Sequence, residues 1–285
     1  MQLKTTILIN CPDQSGIISA VTGFIHSKGG NIVYLDQHVD KEAGVFFMRL
    51  ESEFNGNREL AASLKDDFTK QLAIPYQMEW SLHPGVEKPR MAIFVSKYNH
   101  CLYDLLSRFH SGELNVEIPF ILSNHADLKY IGEQFNIPFY HIPVNKGAKD
   151  IAELQQLQLL KEHHVDFIVL ARYMQIVTPT IINEFPNKII NIHHSFLPAF
   201  AGARPYHAAF KRGVKIIGAT SHYVTEELDA GPIIEQDTCA VSHSHKVHDF
   251  VEKGRDLEKI VLSRAVQLHV HRKTMVYNNK TVIFT

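Results

Sequence analysis

The sequence predicts an α/β protein of two domains, a small βαββαβ unit followed by a larger unit built on a mostly parallel sheet. Two observations predict this fold class. Residues 1–83 show strand and helix patterns in the order βαββαβ, which is the ferredoxin-like arrangement. In the predicted second domain, residues 91–285, strand and helix patterns alternate from residue 90 to about residue 271. Several of these strands are apolar throughout, as in a parallel sheet covered on both faces. The segment 84–90 between these domains carries Pro, Gly and charged residues and is the predicted linker.

The first unit opens with a strand over residues 3–9, where apolar residues alternate. A helix begins near Asp13 and Gly16, and its apolar residues recur at helical spacing. It ends at Gly29-Gly30, because Gly adopts the left-handed conformation that closes a helix. Two strands around a turn, a second helix and a last strand complete the order. Their predicted ranges are 31–39, 45–50, 58–72 and 76–82.

The second unit shows apolar runs that predict strands, separated by stretches with helical periodicity. The predicted strands are 91–95, 116–122, 167–170, a run that ends at His193, 216–224 and 233–240. The last two strands form an antiparallel pair across the turn that contains Asp229. Predicted helices lie near 102–109, 128–135, 151–160 and 247–270, the third marked by Ile151, Leu154, Leu157 and Leu160. A short hairpin is predicted in the tail, around Asn278-Asn279.

Composition indicates a globular protein of the cytoplasm. The 285 residues are 45% hydrophobic and 21% charged, which excludes a disordered chain. A formal net charge of -1 argues against a broad nucleic-acid surface. Three widely spaced cysteines are typical of reduced thiols rather than of a disulfide framework. No apolar run is long enough to span a membrane, and the first residues lack the features of a signal peptide.

Three polar residues suggest a site for chemistry. Asn191 and His193 end an apolar strand, and residues two apart in a strand face the same way. The carboxyl ends of strands in an open α/β sheet are where ligands bind. Asp229 lies in a turn rich in Gly and Pro, where it could also be an ordinary turn residue. An amide, an imidazole and a carboxylate together favour hydrolysis or transfer of an acyl group.

The segments Asn191-Ile192-His193 with Ser195-Phe196-Leu197-Pro198, and Leu228-Asp229-Ala230-Gly231-Pro232, resemble the formyltransferase family that uses 10-formyltetrahydrofolate. The resemblance spans about residues 90–285 and implies a Rossmann-like formyltransferase domain. It also implies that Asn191, His193 and Asp229 are the catalytic residues. Met174 follows an apolar strand where that family places its pterin pocket, although core packing is a close alternative. Tyr206 and His207 either line the folate or water pocket or simply pack a loop.

The N-terminal unit resembles an ACT domain, a family that binds small amino acids at interfaces between copies. The resemblance implies an effector site at Asp13, Gly16 and Asn31, and a homo-oligomer. An ACT domain joined to a formyltransferase-like domain resembles the formyltetrahydrofolate deformylases, the hydrolases of the group. Residues 202–207 and 280–284 resemble that branch too. The implied reaction releases formate and tetrahydrofolate and supplies formate to one-carbon metabolism and purine biosynthesis.

One departure from the family concerns the acceptor. Glycinamide ribonucleotide formyltransferases carry a Gly-rich loop after the first strand, since only Gly lets backbone amides approach a phosphate closely. The corresponding segment here, 96–100, contains no Gly. Methionyl-tRNA formyltransferases carry an additional C-terminal nucleic-acid-binding domain, which we do not expect here. Water is therefore the expected acceptor, and neither nucleic acid nor a membrane is an expected partner.

The expected mechanism needs no cofactor, because the folate is the substrate, and no metal. Asn191 and protonated His193 would donate hydrogen bonds to the oxyanion, and Asp229 would orient His193, position water and relay protons. Two alternatives remain: transfer of the formyl group to an amine acceptor, and an amino-acid sensor that binds folate without catalysis. The histidines at 243, 245 and 248 suggest a metal site, but a Ser-rich loop lacks the rigid framework of zinc sites. His194 is expected to be structural.

Overall fold

The computed structural model describes residues 2–55, 58–85, 88–145, 147–199 and 205–285. The chain divides into two compact units, Met1–Lys88 together with Ile283–Thr285, and Pro89–Val282. The sequence assigned the end of the chain to the second domain, whereas the contacts of Ile283–Thr285 place these residues in the first unit. Within the predicted linker 84–90, Val86 and Glu87 lie outside the described residues.

The first unit has the predicted βαββαβ order, with an antiparallel sheet in the strand order β2-β3-β1-β4. Its central strands, β1 and β3, pair along their whole length from Gln2↔Asn55 to Pro12↔Val45. The second helix ends in a π-helical turn, Thr69–Ala73. The elements are β1 (Gln2–Pro12), α1 (Ile17–Ser27), β2 (Asn31–Asp40), β3 (Val45–Asn55), α2 (Arg58–Phe68) and β4 (Glu79–Pro84).

Packing in this unit follows the predicted periodicity of α1. The helix buries the predicted apolar stripe, which consists of Ile17, Val21, Phe24 and Ile25. Phe24 contacts Phe68 of α2 edge to face, with 5.2 Å between ring centroids, and Phe68 contacts Trp80 of β4 in a tilted arrangement, with 4.2 Å between centroids. Gly29 has φ +73 and ends the helix as predicted. The two helices are thereby fixed to the sheet by a shared aromatic core.

The second unit is built on a seven-stranded sheet in the order β11-β10-β9-β8-β5-β6-β7. Five of its strands, β5 to β9, are parallel, and β10 and β11 are antiparallel, which confirms the mostly parallel sheet. The strands are β5 (Met91–Val95), β6 (Ile121–Ser123), β7 (Phe139–His141), β8 (Phe167–Leu170), β9 (Ile189–His193), β10 (Ile216–Tyr223) and β11 (Ile233–Ala240). The helices are α3 (His100–His110), α4 (Lys129–Gln134), α5 (Lys149–Glu162), α6 (Pro179–Ile182), α7 (Pro205–Arg212) and α8 (Val247–Val270). The predicted tail hairpin is present as β12 (Thr274–Tyr277) and β13 (Lys280–Ile283).

One predicted range of this unit is wrong, and one helix packs differently from its apolar pattern. The strand expected over 116–122 is shortened to Ile121–Ser123, because Pro119 has no N–H to donate to a ladder. Helix α5 is present where it is predicted, but only part of its apolar stripe is buried. Leu160 is buried and Leu157 packs against the core, whereas Ile151 and Leu154 are 62% and 59% exposed and Glu153 and Gln156 are buried. Glu153 accepts a hydrogen bond from the Thr178 backbone N–H at 2.9 Å, and Gln156 donates to the Tyr173 hydroxyl at 3.1 Å. These polar contacts, together with the packing of Ala152 and Leu160 in the core, orient α5. None of the helices in the described ranges is long and apolar enough to cross a membrane.

Candidate active site

A cavity of about 330 Å³ lies at the carboxyl ends of β8 and β9, the place where open α/β sheets bind ligands. Its walls come from the loop 171–177 after β8, the end of β9, the residue His222 of β10 and the loop 224–229. The lining includes Asn191, His193, Asp229, His222, Arg172 and Met174. Most of the lining is apolar, so the few polar groups are the ones that could orient a ligand.

The structure brings the three predicted catalytic residues together. Asn191 and His193 both line the cavity from β9, as expected for side chains two positions apart. The His193 Nδ1 atom lies 3.2 Å from the Asp229 Oδ1 atom. Because a carboxylate only accepts, His193 donates from Nδ1, which leaves Nε2 for other chemistry. The Nε2 atom is buried and has no hydrogen-bond partner among the described residues, so it is available for a hydrogen bond to a substrate.

His222 belongs to the same site, and sequence reasoning missed it. It is 2% exposed and stands directly opposite Asn191 in the β9–β10 register. Its Nδ1 atom lies 2.9 Å from the Tyr223 carbonyl oxygen, so Nδ1 carries the proton. The other nitrogen, Nε2, then accepts a hydrogen bond from Asn191 Nδ2 at 3.2 Å. His222 thereby fixes the Asn191 amide with its NH₂ group toward the imidazole and leaves one amide hydrogen available.

The charges of the site are set by burial and by the His193 contact. Burial lowers the pKa of His222, which keeps this imidazole neutral and able to accept from Asn191. The hydrogen bond from His193 lowers the pKa of Asp229, although partial burial acts in the opposite direction. Asp229 is therefore ionised throughout the neutral range. The contribution of this contact to the free energy of unfolding is fully present above the ordinary pKa of an aspartate. It is lost as the pH falls through the lowered pKa of Asp229.

The turn that carries Asp229 depends on two distant contacts. Asp229 has φ +56, a left-handed conformation that Asp and Asn tolerate better than most residues. At Gly231, a Cβ atom would lie 1.8 Å from the Tyr223 carbonyl oxygen, so only Gly permits this close approach. Asn279, between β12 and β13, donates from Nδ2 to the Ala230 carbonyl oxygen at 2.8 Å. The tail hairpin thus supports the turn from outside the cavity.

Replacement of Gly231 by Ala is expected to displace this turn, since the clash is with backbone. We expect kcat to fall by about 10²-fold, the effect of misplacing a catalytic group by roughly 1 Å. Stability should fall by about 1–3 kcal/mol, as for overpacking. Steady-state kinetics and thermal unfolding measure both. The control is Gly23→Ala in α1, where a Cβ atom meets nothing within 4 Å; wild-type activity in Gly231→Ala would contradict the assignment.

The structure separates the three residues expected to bind the substrate. Met174 lines the cavity and is 47% exposed, so the alternative of core packing is wrong. Tyr206 does not line this cavity: its hydroxyl donates to Glu258 at 2.7 Å, and its ring borders a smaller apolar cavity of about 170 Å³. His207 is exposed on α7 and lines neither cavity. Residues 202–204 of the motif lie outside the described residues.

The residues expected to bind an effector lie near the ends of α1. Asp13 and Gly16 are exposed before the helix, Gly16 with φ +92, and Asn31 is exposed at the start of β2. The Asp13 N–H donates to the Gly44 carbonyl oxygen at 2.9 Å. A binding role for these residues stays a prediction.

Two groups of side chains in the described part of the chain have the geometry to hold a metal ion. His248 groups with Asp249 and Glu252 on the outer side of α8, whereas His245 Nδ1 accepts from the Ser242 N–H at 2.8 Å. The second group, His100, Cys101 and Glu258, is largely buried. The Glu258 oxygens in it already accept hydrogen bonds from His100 and Tyr206, both at 2.7 Å. Neither group includes the cavity residues.

The family comparisons agree with this geometry. A family model described as formyl transferase matches residues 89–266, and a model described as ACT domain matches residues 5–68. A formyltetrahydrofolate deformylase of Synechocystis sp. is 51% identical over 282 residues, which cover 99% of each chain.

Solved structures give the same two-part match. The crystal structure of a formyltetrahydrofolate deformylase from Pseudomonas syringae pv. tomato is 44% identical, with a TM-score of 0.95, over 99% of this chain and 95% of that chain. A glycinamide ribonucleotide transformylase of Symbiobacterium toebii is 25% identical, with a TM-score of 0.68, and covers 72% of this chain and 98% of that chain. The similarity thus extends over the whole chain for the first enzyme and over part of it for the second.

Proposed function

Because the chain belongs to the formyltetrahydrofolate deformylase family, we propose that Asn191, His193 and Asp229 form the centre at which it hydrolyses 10-formyltetrahydrofolate to formate and tetrahydrofolate. The observation that carries the assignment is the contact of 3.2 Å between His193 Nδ1 and Asp229 Oδ1 beside the Asn191 amide, in one cavity. The enzyme is a hydrolase of a linear C–N bond. Its N-terminal part is an ACT domain.

The geometry supports a division of labour among the three residues. The free amide hydrogen of Asn191 and the Nε2–H of protonated His193 donate to the oxygen of the formyl group as it becomes an oxyanion. One such donor lowers a barrier by about 2.7–4 kcal/mol. Water attacks the formyl carbon and gives its proton to Asp229. The C–N bond breaks as His193 Nε2 delivers a proton to N10. The proton on Asp229 then passes to solvent and His193 Nε2 takes one up from solvent, which restores the carboxylate and the imidazolium.

This mechanism uses neither a metal ion nor a cofactor. Asn191 and His193 supply the electrostatic stabilisation that a Lewis acid would otherwise provide. The lowered pKa of Asp229 keeps its carboxylate ionised beside His193. The folate itself is the substrate.

The test is formate release from 10-formyltetrahydrofolate in the absence of any amine acceptor. We expect release with one formate per tetrahydrofolate formed, and no stimulation by added glycinamide ribonucleotide. Release only in the presence of that amine would identify a transferase instead. The segment 96–100 favours hydrolysis, since it has no Gly through which backbone amides could approach a phosphate.

Several finer assignments are part of the proposal. The released formate supplies one-carbon metabolism and purine biosynthesis, and the protein acts in the cytoplasm, where its three cysteines, Cys11, Cys101 and Cys239, are free thiols. The ACT domain binds a small amino acid near Asp13, Gly16 and Asn31. The protein assembles as a homo-oligomer through that domain, as the resemblance implies.

A further inference from the structure

Arg172 is a buried cation in the wall of the cavity. It is 8% exposed and lines the cavity together with Asn191 and His193. Its place follows from the sheet: β8 ends at Leu170, which pairs with Asn191, so the chain reaches Arg172 next to the end of β9. Arg172 also has φ +65, a left-handed conformation that is costly for a residue with a long side chain. Such outliers concentrate at functional sites.

The guanidinium group of Arg172 is positioned by two neighbouring side chains, but its N–H groups are not all hydrogen-bonded. Its Nε atom lies 3.4 Å from Glu258 Oε2, and Cζ lies 5.0 Å from the centre of the Tyr98 ring. The Nε atom is buried without a hydrogen-bond partner. Among the described residues, no acceptor satisfies either Nη atom. A guanidinium offers five N–H donors, so the Nη atoms can donate to an acceptor that enters the cavity.

Glu258 does not supply that acceptor, because it approaches the guanidinium at Nε, with 3.4 Å from Oε2, and not at the Nη atoms. It is 1% exposed, Oε1 accepts from the Tyr206 hydroxyl, and Oε2 accepts from His100 Nε2, both at 2.7 Å. Burial alone would raise the pKa of Glu258, but the hydrogen bond from His100 and the charge of Arg172 outweigh it and lower the pKa. Glu258 is thus an anion that holds one edge of the guanidinium. The edge formed by the Nη atoms remains for a ligand.

We propose that the Arg172 guanidinium is the binding site for a carboxylate, namely the formate that the reaction releases, which it holds through its Nη atoms. The inference rests on the proposed hydrolysis, since formate is its anionic product. A planar fork of N–H donors matches the two oxygens of a carboxylate. The site stands beside the residues that act on the formyl carbon, where the carboxylate forms.

The glutamyl tail of the folate is the other source of a carboxylate. The depth of the site favours formate. Arg172 and His193 are 8% and 6% exposed, whereas the rim residues Met174, Ile176 and Leu228 are 47%, 59% and 63% exposed. A long tail leaves a cavity past its exposed rim, and a small product remains at the buried end. The two sources predict different results for substrates that lack the tail.

The test is binding of ¹³C-formate to the full chain, measured by NMR line broadening, with formate inhibition of hydrolysis as a second readout. Arg172→Met should weaken formate binding at least about tenfold, since it removes charged hydrogen bonds. Arg172→Lys should also weaken formate binding, because an ammonium group cannot donate two parallel hydrogen bonds to the two oxygens of a carboxylate.

The matched control is Arg255→Met. Arg255 is exposed and lies over the same Tyr98 ring, with 5.8 Å from its Cζ atom to the ring centre. Its formate affinity should equal that of wild type. Circular dichroism measures whether each variant is folded. If Arg172→Met does not fold, Arg172→Lys provides the test.

Unchanged formate binding in the folded Arg172 variants overturns the inference, as does a wild-type enzyme that binds no formate. A third arm compares 10-formyltetrahydrofolate with 10-formyltetrahydropteroate, which lacks the glutamyl group. If Arg172→Met raises KM for the first substrate alone and leaves formate binding intact, the guanidinium binds the tail and the inference is wrong. If the wild type binds formate through Arg172 but does not hydrolyse the folate, the proposed function fails and the carboxylate site stands.

Discussion

Replacement of Asp229 by Asn is expected to lower kcat by about 10²–10⁴-fold, the usual contribution of a proton-transferring group. The amide cannot accept the proton of the attacking water, nor can it stabilise the charged His193 imidazole. It can also donate to His193 Nδ1, which would place the remaining imidazole proton on the wrong nitrogen. KM should change little, because Asp229 contacts His193 through one oxygen and the apolar walls of the cavity are retained.

The variant is a fair test because Asn tolerates the left-handed conformation that Asp229 adopts, with φ +56. The turn should therefore keep its geometry, and thermal unfolding would verify this. Glu226→Gln is the matched control: Glu226 is an exposed carboxylate that lines the same cavity and should be dispensable. Full activity of Asp229→Asn would remove Asp229 from the mechanism.

Replacement of His193 by Asn is expected to lower kcat by about 10³-fold or more. It removes both a donor to the oxyanion and the group that delivers a proton to the leaving nitrogen, although effects within one catalytic unit do not add. It also removes the hydrogen bond that lowers the pKa of Asp229. The stability difference from wild type should therefore be present at neutral pH. It should decline below the ordinary pKa of an aspartate and vanish as the pH falls through the lowered pKa of Asp229, because Asp229 is then protonated in wild type too.

Steady-state kinetics measure the first effect, and urea unfolding at several pH values measures the second. His207→Asn is the control, since His207 is an exposed histidine on α7 that lines neither cavity. It should have wild-type kinetics. A large loss in His207→Asn would mean that His207 lines the substrate pocket, as the family resemblance allowed. A stability difference for His193→Asn that persists at acid pH would show that packing, not the ion pair, is responsible.

The parts of the site that follow from local sequence were predictable. A strand end fixes the common face of Asn191 and His193, and the breaker-rich turn with its motif identifies Asp229. His222 was not predictable, because its place opposite Asn191 depends on the register between β9 and β10, which long-range packing sets. The family resemblance gave the combination of domains, which periodicity alone could not.

The remaining errors have a common cause, namely buried polar contacts between distant residues. Tyr206 turns away from the cavity because it donates to Glu258, 52 positions later in the chain. Helix α5 leaves Ile151 and Leu154 exposed, while Glu153 is buried and accepts from the Thr178 N–H. No short-range pattern reveals such partners. Pro119, in contrast, was a visible signal that the strand before it could not extend.

The contact between Asn279 and the Ala230 carbonyl oxygen has a consequence for the ageing of the enzyme. Asparagine is among the thermolabile residues, since its side-chain amide deamidates to a carboxylate. At position 279 this change replaces the N–H donor by an anion that faces a carbonyl oxygen 2.8 Å from the former nitrogen. The hydrogen bond that supports the Asp229 turn would be replaced by repulsion between the new carboxylate and the Ala230 carbonyl oxygen. Prolonged storage can therefore inactivate the catalyst through a covalent change in its tail, fifty residues from the carboxylate that performs the chemistry.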